Sequence, residues 1–213
     1  MARFALRKTP FGTPPAVDDD GRGLPTPHRL RMQARRAAGI AEAAAILEHL
    51  PQPGESLHCL VTARLDLSDI LNAIIEKIGT VEHLRIATLG YNRRNFKAML
   101  RWLDAKQVLH LTLVPSIFFR SHNGDLWAET QDEFRSRDQR TACASSHAKV
   151  VTILMPSGVK YAIEGSANLC CNGSAREQFA MMHDAGIHDW HSAWIDQLVN
   201  SYVGKEEAKT AGH

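Results

Sequence analysis

The chain of 213 residues has no apolar run approaching the ~18 consecutive residues that a membrane-spanning helix requires, which sets aside an integral membrane protein. Its opening stretch, MARFALRKTPFGTPP, lacks the ~7–15-residue apolar core of a secretory signal, so a cytoplasmic location is expected. Cysteine is scarce. Cys59, Cys143, Cys170 and Cys171, the last two adjacent, make a poor disulfide framework, and reduced thiols are the simpler reading. Charge of one sign is lacking too: a formal net charge of +2 permits an anionic partner without demanding one. No segment repeats another. What remains, 44% hydrophobic and 23% charged, suits one domain large enough to bury a core.

Residues 1–27 hold Pro10, Pro14, Pro15, Pro25 and Pro27, three glycines and the triplet Asp18-Asp19-Asp20. Such a composition buries too little apolar surface to offset its ordering entropy, and it reads as a flexible, Pro-rich basic arm. Through residue 36, eight Lys and Arg face three aspartates, so the positive charge of the chain is concentrated here. Contact with nucleic acid or a membrane surface is one reading of that arm; a solvated linker is the other.

The folded domain is expected over 28–205, with a disordered tail at 206–213. RRAAGIAEAAAILEHL reads as a helix with Ile40, Ala43, Ala44 and Leu47 at helical spacing, stopped by Pro51 and Pro53. Strands and helices then alternate. LHCLVTA (57–63) is a strand; Asp66 or Ser68 caps a helix bearing Ile70, Ile74 and Ile78 and closed by Gly79. LRIATLG (84–90) is a strand, and the next helix buries Phe96, Leu100 and Leu103. VLHLTLV (108–114) alternates Leu109, Leu111 and Leu113 against His110 and Thr112. A polar helix around LWAETQDEF precedes strands at 147–154, 159–165 and 177–185. A last helix near 189–203 places Trp190, Trp194 and Leu198 on one stripe, with both tryptophans read as core. The order implies an α/β class: a mainly parallel mixed sheet flanked by helices on both faces.

Chemistry concentrates in residues 145–178. His147 and Lys149 are two apart on an expected strand, so their side chains emerge on one face. After the next strand, Gly165-Ser166-Ala167-Asn168 brings a hydroxyl and an amide to the same end of the sheet, where ligands of such folds bind. Lysine supplies a point charge for an anion, serine and asparagine donate to nonbridging oxygens, and histidine serves as nucleophile or proton carrier. Together they describe a phosphate site that needs neither metal nor other cofactor.

The two boxes resemble the signature of the phospholipase D superfamily, HxK followed downstream by GSxN, and most closely its small single-motif bacterial and phage-borne members. There an EGSANL box, here Glu164–Leu169, precedes an acidic residue, here Glu177. The match is most specific over 140–200. The resemblance implies a phosphodiesterase in which His147 attacks phosphorus to form a phosphohistidine and a second histidine of the same type protonates the departing alkoxide. Lys149 and Asn168 would hold the equatorial oxygens with support from Ser166, and Glu177 would accept the imidazole N–H on the side away from phosphate.

One position departs: the family has Asp five residues after the lysine, and this chain has Leu154. On a strand beginning at His147, Leu154 faces away from the imidazole, so no reacting group is lost. Its supporting hydrogen bonds are, which leaves open a degenerate copy that binds without turnover. With one HxK in the chain, a two-histidine mechanism implies a homodimer whose copies face each other across a two-fold axis. His183, His188 and His191 cluster in sequence, but with Cys170 and Cys171 they match no zinc spacing; His191 is assigned a packing or surface role near the pocket rim. A nuclease acting on DNA or RNA is the expected activity. A phospholipid headgroup hydrolase or transferase is the alternative, hinted at by Ile117-Phe118-Phe119, and a non-catalytic nucleic-acid-binding protein is the third reading.

Overall fold

The computed structural model describes residues 43–61, 65–169 and 177–210. The expected arm at 1–27 and the start of the helix after it lie outside the described residues. Of that helix the turn at 43–46 is seen, with Ala43 and Leu47 fully buried and Ala44 exposed.

Strand β1 (Ser56–Val61) leads to helix α1 (Leu67–Ile78), and β2 (Val81–Thr88) to α2 (Arg93–Asp104). Both helices begin with reciprocal caps. The Asp66 carboxylate accepts the Asp69 N–H at 3.0 Å while Asp69 accepts that of Asp66, and Asn92 and Asn95 do the same for α2. Gly79, at φ +80°, closes α1 in a conformation that side chains disfavour. β3 (Val108–Pro115) is followed by α3 (Ile117–His122), α4 (Gly124–Ser136) and the short β4 (Arg140–Thr141). Three strands then follow, β5 (Val150–Leu154), β6 (Lys160–Gly165) and β7 (Glu177–Met182), before the terminal helix α5 (Ala185–Thr210).

The seven strands form one mixed sheet in the order β1-β7-β6-β5-β2-β3-β4. The α/β class and the helices on both faces hold: α1 and α2 pack on Leu84, Ile86, Leu111, Leu113, Val151 and Ile153, while α5 covers Ala87, Val114 and Val150 with Ile195 and Val199. The expected predominance of parallel pairs does not. Only β2–β3 and β3–β4 are parallel; β2–β5, β5–β6, β6–β7 and β1–β7 are antiparallel. For β5–β6 the reason is connection length. A parallel neighbour needs a crossover of about a dozen residues, and residues 155–159 between β5 and β6 make a hairpin turned at Gly158 (φ +85°).

Other expectations shift for local reasons. Leu109 is exposed and Thr112 buried, against the simple alternation read for β3. Around Leu109 the outer side of β3 is met not by a strand but by the Gln139 side chain, which bonds Leu111 N (2.5 Å), while the Thr112 hydroxyl is satisfied by His83 (2.9 Å). Trp190 is 67% exposed rather than core, because α5 turns His188, His191, Ser192, Ile195 and Val199 inward and the 190/194/198 stripe runs beside that face. The helix extends to Thr210, past its expected end at 203 and into the expected tail; 211–213 lie outside the described residues. Among the described residues no helix is long and apolar enough to cross a membrane.

Asp196 of α5 ties the sheet to the helix by bonding Arg85 (2.9 Å) and Arg140 (3.1 Å). Beside this pair His83 drops from its usual 6.5 to about 4, first through burial and then through the Arg85 charge; His110 and Arg140 push the same way and Asp196 opposes them. The unfolded chain therefore takes up a proton near pH 6.5 that the folded chain refuses until about pH 4, so stability falls as pH drops through that window. His83→Gln is expected to flatten this slope between pH 6.5 and 4 in urea titrations, whereas an unchanged slope would assign it to other groups.

Candidate active site

The C-terminal ends of β1, β2, β3 and β6 and the N-terminal ends of β5 and β7 lie together at one edge of the sheet, as the pairing registers require. The N-termini of α1 and α2 follow β1 and β2 at that edge, so two helix dipoles present their positive ends there.

His147 and Lys149 sit just ahead of β5, which begins at Val150 rather than at 147 as expected. The extended line nevertheless continues, because Gly165 N–H donates to the Lys149 carbonyl at 3.3 Å, one step beyond the Val150–Glu164 pair. The HxK and GSxN boxes are thereby adjacent on neighbouring strands. Lys149 Nζ lies 3.5 Å from His147 Nδ1 and donates to the His147 carbonyl at 3.0 Å, so the two side chains meet as the spacing predicts. An ammonium has no lone pair, so Nδ1 presents its own to Lys149, and Nε2 has no partner among the described residues.

Gly165 is fixed by sterics. A Cβ there would sit 2.2 Å from the Gln178 carbonyl oxygen and 2.8 Å from Phe179 Cα, so only glycine lets β6 and β7 close. Ser166 follows, its N–H donating to Gln178 O (2.9 Å) and its Oγ accepting from Gln178 N (3.1 Å). The Ser166 hydroxyl donates a short hydrogen bond to the Glu177 carboxylate. Among the described residues Glu177 is thus held by Ser166 rather than by the imidazole it was expected to orient. Asn168 is buried; its carbonyl accepts from Leu67 N (3.2 Å), and its side-chain Oδ1 has no described partner.

A buried polar cluster holds that asparagine's neighbour in place. Asp66 accepts from Ser68 Oγ (2.7 Å) and Arg94 (2.7 Å), Arg94 also reaches Asp69 (3.0 Å), and Asn95 donates to Ser68 (2.9 Å). Burial pushes the Asp66 carboxyl up while the Arg94 charge pulls it down. The cluster welds the starts of α1 and α2 and so fixes the Leu67 N–H that meets Asn168. Sequence reading found the Asp66 cap but not Arg94 and Asn95, since nothing local in the chain signals a partner 28 residues away.

Leu154 lies at the opposite end of β5, five residues or about 16 Å from Lys149, paired with His83 and Lys160. The remaining histidines do not converge. His183 Nδ1 bonds the Pro51 carbonyl (3.1 Å), and His188 is buried against Asp189 (2.8 Å). His191 is buried between Glu164 and Trp194 Nε1 (2.9 Å), tying α5 to β6 in a packing role. Among the described residues no three His, Cys, Asp or Glu side chains are grouped to hold a metal ion; Cys170 and Cys171 lie outside them. An open depression of about 510 Å³ runs from His147 past Ser145, Ser146 and Ser116 to Ile117 and Phe118. Of the expected apolar triplet only these last two are exposed, since Phe119 is buried against Tyr91 at 4.2 Å.

No family model matches the chain, and no curated protein matches it. Solved structures do. A phospholipase D family member, Nuc from Salmonella typhimurium, aligns with a TM-score of 0.49 and 10% identity over 68% of this chain and 95% of that one. The fold is similar to that of a phospholipase D family member. NucT from Helicobacter pylori gives 0.45 and 16% over 69% and 98%, and TrmBL2, an archaeal chromatin protein, 0.46 and 10% over 79% and 61%. These overlays score below 0.5, so the chemistry has to be read from the residues themselves.

Gly165→Ala is expected to destabilise the protein by about 1–3 kcal/mol, the usual cost of forcing atoms into a packed interior, measured as a lower urea midpoint. An unchanged midpoint would mean that β6 and β7 part freely at the site.

Proposed function

We propose that this protein is a metal-independent phosphodiesterase of the phospholipase D type, a nuclease, working through a phosphohistidine on His147 in a homodimer. The observation that supports the reading is the β5–β6 register, whose last bond pairs Lys149, in contact with His147, with Gly165 at the start of the GSxN box.

The chemistry follows from these groups. A phosphodiester placed over His147 draws the Lys149 ammonium onto a nonbridging oxygen and away from Nδ1. With Lys149 drawn off Nδ1, the imidazole proton passes by solvent exchange from Nε2 to Nδ1, and the freed Nε2 lone pair attacks phosphorus as the bond to the leaving alkoxide breaks. Asn168 donates to a second oxygen, and the positive ends of α1 and α2 favour the charge that builds there. The Ser166–Glu177 pair ties the end of β6 to the start of β7 beside Gly165. The alkoxide needs a proton, and His191 and His188, both buried and committed, do not supply it. The same imidazole of a second copy does; it next takes the proton of the water that cleaves the phosphohistidine. A nucleic-acid phosphodiester suits the basic residues before position 36. The exposed Ile117 and Phe118 favour the second reading, a phospholipid headgroup substrate.

Purified protein is expected to cleave single- or double-stranded DNA or RNA in the presence of EDTA, and His147→Ala to slow cleavage by at least ~10²–10⁴-fold, the share a proton-transferring group supplies. Cleavage abolished by chelator, or undiminished in the variant, would contradict the mechanism. Tight binding with no cleavage by the wild type would identify a non-catalytic nucleic-acid-binding protein. Sedimentation is expected to show a dimer; a fully active monomer would contradict the shared site.

A further inference from the structure

The short helix α3 turns one aromatic side chain in and one out. Phe119 packs on Tyr91 and against Gly90, where a Cβ would come within 3.0 Å of the Phe119 ring. Ser116 caps the helix by accepting the Phe119 N–H at 3.1 Å. With Phe119 anchored, Phe118 is 59% exposed on the wall of the depression that ends at His147. Its ring does not hang free. His122 lies against it, centroids 4.1 Å apart and planes 35° from parallel, and is itself held by an Nδ1–H bond to the Phe118 carbonyl at 2.8 Å. The result is a preset aromatic pair, one face covered by an imidazole and the rest of the Phe118 ring open to solvent.

We propose that Phe118, backed by His122, is a stacking platform for a nucleobase next to the scissile phosphate, and that it sets which strand position is presented to His147. This rests on the nuclease reading of His147. Three features favour a base as occupant. The depression holds about 510 Å³, within the range of small-molecule sites and roomy enough for a nucleoside. Its wall combines the flat Phe118 ring, Ile117 and Leu89 with Ser145 and Ser146, an apolar surface with polar edges on which a base can stack. Helix α3 carries Arg120 and His122 and no carboxylate, complementary in charge to a phosphate-bearing strand. An exposed aromatic ring beside a cationic, phosphate-binding centre is the pairing by which single strands are held without sequence readout.

The test uses single-stranded DNA oligonucleotides carrying 2-aminopurine or an abasic residue at successive positions around the cleaved bond. With wild type, 2-aminopurine at one position next to that bond is expected to be quenched by stacking, and an abasic residue there to weaken binding roughly tenfold. Phe118→Ala is expected to lose the quench, bind the intact strand roughly tenfold more weakly and become indifferent to the abasic residue; Phe118→Trp is expected to restore all three. The abasic scan on wild type stands without any variant. Phe118→Ala binding, quenching and cleaving like wild type would overturn the platform and leave the nuclease reading intact. So would a Phe118→Ala protein that sediments as a smaller species, which makes the patch a contact between copies, or phosphatidylglycerol vesicles captured by wild type but not by the variant. A wild type that neither binds nor cleaves any oligonucleotide would sink the underlying reading as well.

Discussion

One backbone pairing carries the proposed chemistry. The antiparallel ladder between β5 and β6 ends in the bond from Gly165 N–H to the Lys149 carbonyl, and through it two sequence boxes some fifteen residues apart share one strand edge. A slip of one residue would send every side chain of β5 to the other face, turning Lys149 and His147 toward α5 and away from the pocket. The register is protected from both sides: Val151 and Ile153 are buried under α1 and α2, and Val150 under α5. Burial of the core is what holds the spacing of the two boxes.

The rest of the site is built outward from that ladder by polar contacts that also stabilise the fold. Ser166 bridges β6 to β7 and to Glu177, and the Asp66–Arg94–Asn95 cluster pins the helix starts that flank Asn168. None of these residues needs to touch a substrate to matter. Each removes a degree of freedom from a group that would, and preset geometry of this kind is the main route by which a site stabilises developing charge. Lys149 and two helix ends bring positive charge to this edge, beside the capping carboxylates of Asp66 and Asp69 that Arg94 balances in part.

Much of this was legible in the chain, for identifiable reasons. The helix cap at Asp66, the Gly79 stop and the 3.6-residue periodicity of α1 and α2 are local signals, and local signals survive folding. His147 and Lys149 were found because two-residue spacing on an extended segment has one outcome. Strand direction was not legible: the alternation of strands and helices holds to β4, after which β5 runs antiparallel to β2 and the short 155–159 connection returns β6 antiparallel to β5. Trp190 was misjudged because a stripe at i, i+4, i+8 does not say which of two neighbouring faces meets the sheet. The role of Glu177 hangs on a contact across strands, with Ser166, that no spacing rule encodes. The aromatic wall at Phe118 likewise emerges only once Phe119 is seen to take the interior position.

The central claim is that His147 forms a bond to phosphorus. Rapid acid-free quenching of wild-type protein during turnover of a ³²P-labelled oligonucleotide, followed by peptide mapping, tests it directly. The account predicts a label that is stable to base, lost in mild acid and confined to the peptide containing His147. Robust cleavage with no label on that peptide, or with label on another residue, would contradict it.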